Sequence, residues 1–186
     1  MRSIARLTAT VALLAMTASP LLAQERAGLM GDLLRDVGEV EKKVLGLARA
    51  LPQAAYDWRP AKGVRSTGEA LIHVAADNYF LPAAMGTAPP ADSGINGKDY
   101  NTVAAYEKRA MTRDQIIAEV EKSFAFLKKS MADTPDASLA APLEVFGQKM
   151  TNQRLWVSTV THLHEHLGQL IAYARSNNVV PPWSKQ

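Results

Sequence analysis

Apolar residues recur at three- and four-residue spacing in four long stretches of this 186-residue chain, which predicts four amphipathic helices. The first runs from about residue 25 to residue 50, with Met30, Leu33, Leu34, Val37, Val44, Leu47, Ala48 and Leu51 on one face, and closes at Pro52. Ser66-Thr67-Gly68-Glu69 has the form of a capping box, so a second helix opens there and runs to Phe80, stopped by Pro82. Residues 86–104 are rich in Gly, Pro, Asn and Asp and read as a long connection. Thr112 with Gln115 caps a third helix, whose stripe is Ile117, Val120, Phe124, Leu127 and Met131, and Pro135 follows it. Thr151 caps the fourth, which reaches Ser176 before Pro181-Pro182-Trp183. Alternation appears only in Leu143-Glu144-Val145-Phe146, too short to imply a sheet. The expected class is all-α, a four-helix bundle, with connections after the second and third helices longer than an up-down-up-down order needs.

The first residues read as an address. Arg2 and Arg6 form a basic start, residues 7–18 are apolar apart from Thr and Ser, and Leu21-Leu22-Ala23 precedes Gln24. That pattern predicts a signal peptide over 1–23 and export to a periplasmic or extracellular compartment, with 24–186 as a single domain of about 160 residues. No stretch promises stable membrane insertion after cleavage. The leader removes two of 21 basic residues against 18 acids. The mature charge of about +1 gives no electrostatic reason to expect nucleic acid as a partner. Cysteine is absent, so any metal must be held by nitrogen and oxygen.

Candidate chemistry lies in the histidines, of which there are four. His162 and His166 stand at i and i+4, about 40° apart around a helix and about 6 Å apart at Cβ, the spacing at which one helix chelates a divalent ion. His164 falls about 160° from His162 and should face solvent. His73 lies on another helical stretch, on the face of Glu69, Asp77 and Phe80, where a third imidazole could come from. Asp77, Glu165, Gln169 and Tyr173 flank these positions. Three neutral imidazoles would leave a coordination position for water, the open arrangement of a catalytic site. A hydrogen-bonded core His73 and a surface His-x3-His pair satisfy the same spacing. Glu165 is not placed as in the His-Glu-x-x-His motif of zinc proteases, because His164 and His166 are its neighbours.

The stretch from Trp58-Arg59-Pro60 through Ser66, Glu69 and His73, then 162–175, then Pro181-Pro182-Trp183, resembles the DinB superfamily of small metal-binding proteins. The resemblance implies an up-down-down-up four-helix bundle, which would account for the long connections. It also implies a divalent metal held by one histidine of the second helix and the His-x3-His pair of the fourth: here His73, His162 and His166. Glu165 and Leu167 depart from the residues the family often carries there, a histidine or other polar residue before the second ligand and an arginine before the Gly-Gln. Relatives of this kind include metal-dependent thiol S-transferases using low-molecular-weight thiols, and proteins called hydrolases or damage-inducible with no settled substrate. The expectation is an exported metalloprotein with hydrolase- or thiol-transferase-like chemistry on a small molecule. The alternative is a non-catalytic metal- or ligand-binding module. Zinc or nickel suits the donors best, with iron, cobalt and copper compatible. Monomer and homodimer both fit the pattern.

Overall fold

The computed structural model describes residues 26–184, so the leader read at 1–23 lies outside the described residues. In chain order the helices are α1 (Gly28–Ala50), α2 (Gln53–Tyr56), α3 (Thr67–Ala84), α4 (Asn101–Glu107), α5 (Arg113–Asp133) and α6 (Asn152–Ser176). The expected caps form. Ser66 Oγ accepts from the Glu69 N–H and Glu69 returns the bond to the Ser66 N–H, Thr112 and Gln115 do the same for α5, and Thr151 accepts from the Arg154 N–H. Arg59 grips both Glu69 oxygens at 2.9 and 3.0 Å, so the turn before α3 is tied to the residue that caps it. That guanidinium, with the Ser66 N–H, holds the Glu69 carboxyl below its usual range.

The long helices form a bundle in which α1 packs on α5 and α6, and α3 packs on the same two, so α1 and α3 face each other across the core. Helix α3 has no solvent face: from Thr67 to Pro82 every residue but Glu69 is buried. It is therefore the interior helix and not the amphipathic one expected, with α4 laid along it. Trp156, Tyr79, Tyr106, Phe124 and Leu127 are among the largest side chains fully enclosed by this packing.

Four further expectations are corrected. Pro82 does not stop α3, which continues to Ala84. The lost N–H falls in the last turn, where the Pro82 carbonyl still accepts from Met85 and Thr87 at 3.1 Å, and burial of Phe80 and Leu81 holds the backbone helical. The connection after α3 is partly ordered, ending in α4, which buries Val103 and Tyr106. On α5 it is Ile116 that is buried, while Ile117 packs at the edge of the core. Finally, a small sheet exists: β1 (Pro142–Val145) pairs antiparallel with β2 (Gln148–Thr151). Its turn residues Phe146 and Gly147 both take positive φ, 54° and 69°, the pattern of a type I′ hairpin. The strands are short and largely exposed, so burial wrote almost no periodicity into them.

Candidate metal centre

Packing of α3 against α6 brings His73, His162 and His166 together, with ligand-type nitrogens all within 4.8 Å of one another. Ring centroids lie 4.4 Å apart for His162 and His166, 4.6 Å for His73 and His166, and 5.4 Å for His73 and His162. His73 is buried in α3 while the α6 pair is half-buried. His164 points away, as the helical angle requires, and meets Asp36 of α1 at 3.1 Å on the exposed side.

Two of the three rings are fixed through Nδ1. His73 Nδ1–H donates to Glu107 Oε1 at 2.5 Å, and Glu107 is held in turn by Arg65 at 3.2 Å. His166 Nδ1–H donates to Gln169 Oε1 at 2.9 Å; the Gln169 amide donates to the Tyr173 hydroxyl at 2.8 Å, and that hydroxyl donates to the Arg65 carbonyl at 3.1 Å. Trp58 packs edge-on against Tyr173, with centroids 5.3 Å apart. Both arrangements leave Nε2 with its lone pair, the tautomer a metal ligand needs. His162 differs: Asp77 Oδ2 sits 2.8 Å from its Nε2 and 3.4 Å from that of His73, while Glu165, which is exposed, is 3.8 Å from its Nδ1.

Electrostatics separate the pair on α6. Burial drives the His166 imidazole down to about 4, opposed by its bond to Gln169 and aided by the neighbouring histidines, so this ring is neutral at physiological pH. Burial also pulls on His162, but the hydrogen bond and charge of Asp77, with Glu165, lift it above the ordinary histidine value. Asp77 Oδ1 is buried with no hydrogen-bond partner. A buried carboxylate whose Oδ2 lies against His162 and His73 while Oδ1 has no partner is costly without a cation and natural with one. The donor set therefore fits a divalent metal.

An open cleft of about 350 Å³ leads outward from His162 and Asp77. One wall is α6, where Arg154, Ser158, Thr161, His162 and Glu165 line it in succession; the other is formed by Leu81, Tyr100 and the hairpin residues Phe146, Gln148 and Met150. Every flanking residue expected from the sequence thus lies at the centre: Asp77 and Glu165 beside His162, Gln169 and Tyr173 behind His166. Glu107 and Arg65 were not foreseen. The only signal for Glu107 was the spacing of Val103 and Tyr106 just before it, which marks one helical turn but not its direction. For the cleft wall at Phe146 the sequence carries only a fragment of alternation, Leu143 to Phe146.

Residues 37–170 match the family model described as DinB superfamily. A crystal structure of a DinB-like protein from Bacillus cereus is similar with a TM-score of 0.65 at 16% identity, over 83% of this chain and 95% of that one. A DinB-like protein from Bacillus subtilis gives 0.62 at 15% identity, over 80% and 93%. At these identities the likeness is one of fold. No curated protein matches the chain.

Proposed function

We propose, for a chain that belongs to the DinB superfamily, that His73, His162 and His166 hold one divalent metal ion and that it serves metal-assisted chemistry on a small molecule entering the adjacent cleft. The observation that carries this reading is the convergence of three imidazoles, two of them fixed through Nδ1 and the third, His162, lining an open cleft. A bound divalent ion supplies Lewis acidity to a substrate oxygen or activates a water or thiol. The chain's own residues do the rest. Glu107 and Gln169 orient two rings, Asp77 places negative charge against His162, and the enclosing packing of α3 keeps His73 dry. Zinc or nickel suits the nitrogen donors best.

Hydrolysis is preferred over thiol transfer because the leader pattern expected at residues 1–23 argues for export, away from the cytoplasmic thiol pool. A second reading, a metal-holding module without turnover, is favoured by the nearness of Asp77 Oδ2 to two of the imidazoles, since a carboxylate in the fourth position closes the site. Elemental analysis of natively purified protein, followed by a screen of chromogenic esters, amides and phosphoesters with and without chelator, separates these. One metal per chain with chelator-sensitive turnover is expected. Stoichiometric metal without turnover on any class supports the closed module, and absence of bound metal ends both readings.

A further inference from the structure

The cleft has two chemically different ends. Asp77, His162 and Glu165 crowd the inner one. Arg154 is the one Lys or Arg among its lining residues, and it stands eight residues before His162 on α6, about 12 Å along the helix axis. Among the described residues no hydrogen bond or ion pair engages its guanidinium, whereas Arg59, Arg65 and Arg113 each hold a carboxylate. Between the two ends one wall is apolar, with Leu81, Met150, Tyr100 and Phe146, while Gln148, Ser158 and Thr161 add polar groups to the lining.

Phe146 is the telling residue. It is 55% exposed, and its backbone adopts the left-handed region that costs an L side chain energy. That turn keeps the ring out of the core, edge-on to Tyr100 and tilted against Phe80, at centroid distances of 5.2 and 5.8 Å. A hairpin needing only a turn would place Asn or Gly there; an aromatic ring held at this cost supplies a wall.

We infer that the cleft takes an amphipathic monoanion, whose anionic group pairs with Arg154, whose apolar body lies against Leu81, Phe146 and Met150, and whose reacting group reaches His162. The assignment of the inner end rests on the metal reading above; that of Arg154 and the apolar wall does not. The two carboxylates at the inner end repel an anion, which fixes the direction in which such a molecule lies.

The probes are 8-mercaptooctanoate and its neutral counterpart 8-mercapto-1-octanol, titrated calorimetrically into zinc-loaded and chelator-stripped protein. The carboxylate probe should bind about two- to fivefold tighter than the alcohol in both forms, the margin of one solvent-exposed ion pair. Arg154→Gln should level the two probes and Arg154→Lys should restore part of the preference; Arg154 is exposed, and circular dichroism checks that the variants fold. Phe146→Ala should weaken both probes equally and keep their ratio. Zinc should strengthen both through the thiol, and a failure of that gain counts against the metal reading alone. Equal affinity of the two probes, no binding of either, a preference that survives Arg154→Gln, or indifference to Phe146→Ala overturns the inference.

Discussion

Replacing Glu107 by alanine removes the acceptor of the 2.5 Å hydrogen bond from His73 Nδ1. The His73 side chain is 5% exposed, so water cannot fully substitute, and an orphaned buried donor costs about 1–3 kcal/mol. Loss of the Arg65 partner adds little, because that pair is partly solvated and its contacts are long, at 3.2 Å. An independent route gives the same scale: removing the carboxylate behind a ligating histidine typically lowers metal affinity by about 10- to 100-fold, or about 1.4–2.7 kcal/mol. Glu107→Gln keeps an acceptor but not its charge and should fall at the lower end. The assay is competition for zinc against a chromophoric chelator at pH 7.5, alongside thermal melts of the metal-free proteins. Affinity should rank wild type, then Glu107→Gln, then Glu107→Ala, and the alanine variant should melt lower by about 3 °C per kcal/mol lost. If Glu107→Ala binds zinc as tightly as wild type and melts with it, the carboxylate does not position His73 and the reasoning fails.

Alanine at His73, His162 or His166 should abolish stoichiometric metal binding by elemental analysis, while His164→Ala, which loses only an exposed contact to Asp36, should keep it; equal loss in all four would mean that the centre is drawn on the wrong face. For pH the sign follows from the two α6 rings. His166, at about 4, offers protons no competition near neutrality, whereas His162, raised above 6.5, must give up a proton to ligate, so zinc affinity should climb with pH from 6.5 upward. Asp77→Asn leaves burial as the main influence on His162 and should move that climb to lower pH; an unmoved midpoint in titrations of the variant would reject the assignment. N-terminal sequencing of protein from its native host should read Gln24 first, and an intact Met1 terminus would reject export.

Legibility followed burial. His162, Glu165, His166, Gln169 and Tyr173 could be placed because α6 is regular and one-sided, so a 3.6-residue period translates directly into direction; for His73 and Asp77 on α3 the sequence carried only their i, i+4 spacing. Three helix starts were readable because their caps are local: Ser66 with Glu69, Thr112 with Gln115, Thr151 with the Arg154 N–H. The amphipathic expectation failed for α3, because a helix enclosed on every side has no polar stripe to betray its register. Glu107 and the hairpin escaped for another reason. Their roles depend on which elements meet in space, His73 with α4 and the tip of β1–β2 with α6, and a four-residue strand or a seven-residue helix carries no record of its neighbour.

Arg65 occupies a junction whose importance its exposed position conceals. Its guanidinium braces the carboxylate behind His73, and its main-chain carbonyl ends the relay that runs through Tyr173 and Gln169 to His166. One residue of a surface turn therefore sets the protonated nitrogen on two rings contributed by different helices. The two settings are not independent adjustments, because backbone and side chain move together. Lengthening the turn between Arg59 and Ser66 would leave the bundle's apolar interior intact yet detune both rings at once, whereas the long segment after α3 has no such duty until it reaches Glu107. In this fold the tolerance of a loop to change is decided by which imidazole it answers to, and not by how far it stands from the solvent.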